Sequence, residues 1–227
     1  MTIARHILSS YARSRWLWGE FVVVLAFYTL YDLEFPGTTT YFFGTAGEGL
    51  GALAIVASAI LAGRATHARM YITLARLPSR GAYVRGMILA ASALRVPLYL
   101  VLMVLALVTH RITGTITLGG MFWGSVGLLA NCIILAALTV TLSPPIATRF
   151  AQMAFLFWLA LTLFSTSQGD ILPWLALPLA PLAACYTLTT SGFSGQALLA
   201  LVGAAVYVVG LTALAQAWMA RRDLLLH

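Results

Sequence analysis

The sequence predicts an all-α integral membrane protein, folded as one transmembrane domain over residues 1–227. Three observations predict this class. Hydrophobic residues make up 61% of the 227 residues and charged residues only 8%, which leaves too little polar surface to cover a water-soluble globule. The apolar residues form runs longer than the core helix of a soluble protein needs. The charges concentrate between those runs, as they do between the spans of a membrane protein.

Six apolar runs are long enough to cross a bilayer, since a helix needs roughly 20 apolar residues to do so. They lie at 16–33, 42–63, 84–109, 119–142, 149–167 and 196–219. The first run begins too far from a plausible small-residue cleavage site and is followed by Asp32 and Glu34. We therefore expect it to be a retained span and not a removable signal peptide.

The arginines predict the orientation, because positive residues of short loops are retained on the cytoplasmic side. Eleven of the 13 fall before span one, between spans two and three, after span four or after span six: Arg5, Arg13, Arg15, Arg64, Arg69, Arg76, Arg80, Arg85, Arg149, Arg221 and Arg222. The opposite loops contain Asp32, Glu34 and Asp170 against Arg111. We expect a multi-pass protein of the plasma membrane with both termini in the cytoplasm.

The N-terminal residues 1–15 have the pattern of a helix that lies in the membrane interface. Ile3, Ile7, Leu8 and Tyr11 recur at helical spacing, with arginines on the other flank. We expect this interfacial helix to rest on the inner leaflet, in contact with membrane lipids.

The segment 168–195 is too apolar for an exposed loop and is broken by Pro173, Pro178 and Pro181. Irregular backbone at membrane depth is tolerated only where protein or water covers its polar groups. We therefore expect an external re-entrant hairpin of two short helices between spans five and six.

The absence of lysine excludes several chemistries, since all 13 basic residues are arginine. A Walker A phosphate loop and Schiff-base catalysis both need a lysine.

The net charge of +7 comes from arginines that lie mainly between the predicted spans. Membrane topology explains their positions, so the charge does not indicate nucleic acid binding. Cys132 and Cys185 are too few for a disulfide framework or a metal cluster. We expect no cofactor and no metal on this chain.

The basic loop at 64–80 leads directly into span three, and Ile72 to Leu94 reads ITLARLPSRGAYVRGMILAASAL. Pro78 cannot continue a helix and disfavours helical geometry at Leu77. Ser79 suits the N-cap of a following helix. The pattern predicts a short cytoplasmic helix from about Thr66 to Leu77, of two to three turns, joined to span three by a tight turn.

This stretch resembles the permease subunits of type-2 ABC transporters, in which a short cytoplasmic helix ends in Leu-Pro and is followed by a Ser-Arg turn, an aromatic residue and a Gly-initiated span. The corresponding positions are Leu77, Pro78, Ser79, Arg80, Tyr83 and Gly86. The interfacial helix, the six spans and the external hairpin are also similar to that family. Two departures stand out: the short helix is preceded by basic residues where the family often has an acidic one, and no extra apolar residue follows Leu-Pro.

The resemblance implies a transport subunit that is not itself an enzyme. A coupling helix would dock on a cytoplasmic ABC ATPase subunit, which would bind ATP and Mg²⁺, and a second permease chain, identical or related, would complete the transporter. The exported substrate would be lipophilic or amphipathic. The coupling residues would be His67, Arg69, Thr73, Arg76, Leu77, Pro78, Ser79 and Arg80. The alternative is that the arginines act only as topology signals and phospholipid ligands.

Polar residues within the predicted spans are candidates for a translocation path. Arg95 lies ten residues past Arg85, about 15 Å into the bilayer, where arginine costs at least about 2.5 kcal/mol. Glu20 or Glu48 would reach it from a neighbouring span, and Asn131 is a further polar residue at this depth. Either Arg95 and its partner contact an anionic substrate, or they form an interhelical ion pair that only fixes packing.

Two other classes of protein stay open from the sequence. A non-transporting accessory subunit of a larger membrane complex would have the same spans. An intramembrane hydrolase would need a catalytic trio, for which His110, Ser165 and Asp170 are the available residues at the outer face. Their spacing does not itself indicate catalysis.

Overall fold

A computed structural model describes residues 3–33, 37–64, 80–113, 117–144, 146–167, 173–191 and 195–221. Nine α-helices lie in these ranges: α1 (Ile3–Ala12), α2 (Arg15–Phe27), α3 (Thr39–Arg64), α4 (Arg80–Ala93), α5 (Arg95–Val108), α6 (Leu118–Thr141), α7 (Arg149–Ser167), α8 (Ala180–Ser191) and α9 (Ala197–Arg221). A π-helical stretch, Tyr28–Leu33, continues α2, and a 3-10 helix, Pro173–Leu179, precedes α8. Two short strands, β1 (Gly37–Thr38) and β2 (Ile112–Thr113), complete the fold.

Four helices among the described residues are long and apolar enough to cross a membrane: Thr39–Arg64, Gly81–Val108, Leu118–Thr141 and Ala197–Arg221. The protein thus has the helical architecture of a membrane protein, as predicted. The other two predicted spans, the first and the fifth, are not among these four helices. Residues 16–33 form α2 and its π-helical continuation, and residues 149–167 form α7, whose 19 residues extend over about 28 Å.

The third predicted span is interrupted at Leu94, between α4 and α5. Pro97 stands in the first turn of α5, where it cannot donate a backbone hydrogen bond to Ala93 and its ring crowds that carbonyl. The backbone hydrogen bond from Leu94 N to Ala90 O persists at 3.1 Å, so the two helices form one interrupted span. Arg95 lies at this interruption.

Helix α6 is the centre of the bundle and packs against α3, α8, α9 and α4. Small residues permit the closest of these contacts. A side chain at Gly127 would lie 2.8 Å from Thr189 N and 2.9 Å from Cys185 O, so the backbones of α6 and α8 nearly touch. Within the described residues, α7 packs mainly against the 3-10 helix and is therefore peripheral.

Helix α1, which the sequence predicts to be interfacial, packs on the rest of the protein with its apolar face. Ile7 and Tyr11 are buried, while Arg5, His6 and Arg13 are exposed. The buried face contacts α4 and belongs to one core cluster with Tyr83, Val84 and Met87 of that helix. The apolar stripe of α1 therefore covers the start of α4, leaving its basic flank outside.

The predicted outer ends of α3 and α5 are tied together by the two strands, which the sequence did not predict. Gly37 pairs with Ile112 and Thr38 with Thr113 in a parallel register. Helix α5 ends in a reversal at His110, whose φ of 52° is left-handed, and Arg111 N donates back to Ala106 O at 3.1 Å. This reversal brings β2 alongside β1.

The segment 168–195, predicted to be external, is described from Pro173 to Ser191 and from residue 195 onward. Pro178 lies inside the 3-10 helix, and α8 follows without a gap. Helix α8 packs against α6, α9 and α3, with Cys185 and Thr189 buried. Tyr186 of α8 and Trp174 and Leu177 of the 3-10 helix are exposed, so the protein covers only one face of this apolar segment.

Candidate functional site

The two helices that flank the basic loop are described, whereas the loop is not. Helix α3 ends at Arg64 and α4 begins at Arg80. The coupling residues predicted before Arg80 all lie outside the described residues: His67, Arg69, Thr73, Arg76, Leu77, Pro78 and Ser79. Arg80 is the first residue of α4, directly after the position where the sequence predicts a tight turn.

Arg95 forms an ion pair with Glu20. Its Nη2 atom lies 2.7 Å from Glu20 Oε2, and the two side chains are 0% and 4% exposed. The pair joins the start of α5 to α2, deep in the protein. The structure therefore brings Arg95 together with Glu20, whereas Glu48 lies exposed on α3.

A tyrosine from α1 completes this contact. The Tyr11 hydroxyl donates to Glu20 Oε1 at 2.6 Å, and Tyr11 is fully buried. Burial and the adjacent Glu20 carboxylate raise the pKa of Tyr11 above its ordinary value, so the phenol stays a hydrogen-bond donor. The Arg64 guanidinium lies over the Tyr11 ring, 5.2 Å from its centroid. Residues of α1, α2, α3 and α5 thus meet in one polar cluster.

The π-helical continuation of α2 is attached to α5 at a second point. The Tyr28 hydroxyl donates to Leu105 O at 3.3 Å and is also hydrogen-bonded to the Thr109 hydroxyl. Together with the ion pair of Glu20 and Arg95, this contact fixes α2 along α5. Other parts of α2 are exposed, including Trp18 at 71% and Val22 at 62%.

The cluster has the chemistry of a packing element. Two opposite charges that are both removed from solvent compensate each other only with good geometry, and loss of one leaves the other uncompensated. Arg95 is fully buried, so its guanidinium faces protein in this structure. Its Nε and Nη1 atoms have no hydrogen-bond acceptor among the described residues, so Arg95 does not use its full bonding capacity.

Asn131 lies on α6 and is half-buried, and its Oδ1 atom is buried without a hydrogen-bond partner in the described part of the chain. Ser58 Oγ on α3 is likewise buried and has no hydrogen-bond partner among the described residues. The structure does not connect Asn131 to the pair of Arg95 and Glu20 through a hydrogen bond.

A lateral groove lies between α3, α6 and α7, with a cavity volume of about 620 Å³. Its walls are mostly apolar and include Ile55, Ala59, Leu135, Leu138, Phe155 and Leu159. The polar side chains at its edge are engaged with the backbone: Gln152 Nε2 donates to Leu142 O at 2.8 Å, and Thr139 Oγ1 donates to Leu135 O at 2.8 Å. The groove therefore presents an uncharged apolar surface.

Sequence reasoning missed two residues of these contacts. Tyr11 was assigned to the apolar stripe of α1, and its hydroxyl contact with Glu20 depends on the turn at Ser14 that folds α1 back on α2. Gly127 was not singled out, although the neighbouring pair Gly120 and Gly124 was a visible small-residue signal. Gly127 follows Gly120 by seven residues, about two helical turns, and so lies on nearly the same face of α6.

Of the three residues available for an enzymatic site, only His110 is fully described. His110 lies at the end of α5, while the side chain of Ser165 and the whole of Asp170 fall outside the described residues. The described residues contain no group of three histidine, cysteine or acidic side chains placed to hold a metal ion. Comparison with protein-family models and with curated proteins finds no match to this chain.

Proposed function

We propose that the chain is the membrane-spanning permease subunit of an ATP-driven exporter resembling type-2 ABC transporters. The observation that carries the proposal is the packing of α4 at the point where it leaves the basic loop. Tyr83, Val84 and Met87 are at most 2% exposed, in one core cluster with Ile7 and Tyr11 of α1. A force on the loop would therefore move α1 and α4 together.

The path of such a displacement follows from the fold. Helix α4 continues into α5 through the interruption at Leu94, and α5 is bound to α2 through Arg95 and Glu20. Closure of an ATPase partner on the loop would shift α4, and the shift would reach α2 and α5. This is the mechanical role that a coupling helix needs, and the Leu77, Pro78 and Ser79 sequence supports it.

The proposed working unit contains two permease chains and two cytoplasmic ATPase subunits that bind ATP and Mg²⁺. It has six spans per chain, with α2 and α7 supplementing the four long helices, and both termini in the cytoplasm. Its substrate is lipophilic or amphipathic, since the exposed faces and the lateral groove are apolar.

Co-purification tests this proposal directly. The protein, solubilised in mild detergent, should carry a soluble subunit that contains the Walker A pattern GxxxxGK[ST] and hydrolyses ATP. A complex of membrane subunits that lacks an ATPase would instead support the accessory-subunit alternative.

Substitutions in the loop test the coupling role. Pro78→Ala and Arg80→Glu should leave the protein in the membrane but separate ATP hydrolysis from transport in reconstituted vesicles. Arg149→Glu, at the exposed start of α7, is the matched charge control and should leave coupling unchanged. Normal coupling in both loop variants would contradict the proposal.

Topology is tested by single cysteines labelled with a membrane-impermeant maleimide. Cysteines at Thr115 and Asp170 should react in intact cells, and cysteines at Thr2 and Leu225 only after lysis. The native Cys132 and Cys185 are buried, so their background labelling should be low.

A further inference from the structure

Glu48 lies on α3 at a depth where a carboxylate is unusual. It is nine residues from the start of the helix at Thr39 and sixteen from its end at Arg64, or about 14 Å and about 24 Å along the axis. Because α3 is longer than the roughly 30 Å hydrocarbon core, Glu48 falls inside that core. Its side chain is nevertheless exposed on the surface of the protein.

The described part of the chain supplies no counter-ion for Glu48. Arg95, the arginine at comparable depth, is committed to Glu20. The other described arginines lie on or just after α1, just after α5, or within two turns of a helix end: Arg5, Arg13, Arg15, Arg64, Arg80, Arg85, Arg111, Arg149 and Arg221. Ionisable side chains at membrane depth are costly and mark ligand or ion paths when they have no partner within the protein.

Glu48 shares a helix face with the lateral groove. Residues 48, 55 and 59 lie within about 40° of one another around α3, because each residue turns the helix by about 100°. Ile55 and Ala59 line the groove, and Ile55 is two turns, about 10 Å, from Glu48. Ala52, between them on this side of the helix, is exposed and small, so it does not close the passage.

The groove offers the complementary half of a site for an amphipathic molecule. Its volume of about 620 Å³ is within the range of small-molecule sites, and its lining is almost entirely apolar. It contains no charged side chain. An apolar body in the groove would therefore leave a polar group directed along α3 toward Glu48.

We propose that Glu48 and the lateral groove together bind an amphipathic cation, with its positive group on the Glu48 carboxylate and its apolar body between α3, α6 and α7. This inference rests on the proposed function, because the amphipathic cation would be the substrate of the proposed exporter. The binding step itself needs no ATPase.

A pair of ions with the same shape and opposite charge tests the proposal. The purified full chain in phosphatidylcholine nanodiscs is dialysed against radiolabelled tetraphenylphosphonium or tetraphenylborate, with empty nanodiscs subtracted. The protein should bind the cation, and Glu48→Gln should weaken this binding by at least roughly tenfold. Glu48→Asp should retain most of it. Tetraphenylborate binding should not fall in Glu48→Gln.

A second variant tests the groove. Ala59→Phe should fill it and weaken tetraphenylphosphonium binding, whereas Val202→Phe, on an exposed face of α9, should leave binding unchanged. Unchanged cation affinity in Glu48→Gln would overturn the proposal. Disulfide-linked dimers of Glu48→Cys protein would also overturn it, because they would assign this face to a second copy.

The outcome separates the two proposals. If the cation does not bind while an ATPase co-purifies and Pro78→Ala uncouples it, the inference about Glu48 fails and the exporter remains. If the cation binds through Glu48 and no ATPase is found, the site remains and the ATP-driven mechanism fails.

Discussion

Tyr11 donates its phenolic hydrogen to Glu20 across 2.6 Å, and so α1 is attached to the carboxylate that neutralises the buried Arg95. One glutamate thereby receives a hydrogen bond from α1 and an ion pair from α5. The stability of α1 on the protein should depend on a residue of α2 that lies nine positions later in the chain.

Removal of the Tyr11 hydroxyl should loosen α1. Tyr11→Phe keeps the ring contacts and should cost roughly 1.5–3 kcal/mol, since the lost hydrogen bond has a charged acceptor. Hydrogen exchange measured by mass spectrometry should show faster exchange over Ile3–Ala12, with little change in α6. Ser9→Ala, which removes only a local hydrogen bond to His6 O, is the control and should leave exchange nearly unchanged.

Loss of one member of the ion pair should be worse than loss of both. Glu20→Gln or Arg95→Met should each destabilise the protein by roughly 3–5 kcal/mol, because each leaves a buried charge uncompensated. The double variant should be closer to the native stability. Unfolding curves in detergent provide the comparison. If the loss of stability in the double variant equalled the sum of the two single losses, the two charges would not stabilise each other.

A side chain at Gly127 should separate α6 from α8. Gly127→Val places its Cβ 2.6 Å from Thr189 Oγ1 and under 3 Å from the α8 backbone, which cannot yield as a flexible side chain can. We expect a loss of at least about 2 kcal/mol, measured by thermal unfolding in detergent. Gly203→Ala on α9 is the matched control, since nothing lies within 4 Å of its added Cβ. It should be neutral or slightly stabilising.

His110→Gly should stabilise the end of α5. The φ of 52° at His110 costs an ordinary residue roughly 1 kcal/mol, and glycine adopts it without strain. Val108→Gly, two residues earlier and still in α5, is also at an exposed position and should instead destabilise by a similar amount. Opposite shifts of the unfolding temperature would support this account, and a loss in both variants would contradict it.

The sequence predicted a structural feature correctly where a residue type strongly prefers one environment. Long apolar runs predicted the helical membrane class, and the depth of Arg95 predicted a buried partner on α2 or α3. The choice of Glu20 over Glu48 depends on helix rotation, which a single apolar run such as 42–63 does not specify. The position of Tyr11 depends on the turn at Ser14. The short strands are two residues each and carry no periodic signal.

The order in which the chain is made gives the ion pair a further consequence. Glu20 is synthesised 75 residues before Arg95, so a ribosome delivers the carboxylate to the membrane well ahead of its counter-ion. Until α5 emerges, α2 cannot reach its final depth without an unpaired buried charge. We therefore expect the first apolar segment to dock late during biogenesis, closing the N-terminal side of the protein after α5 has been inserted.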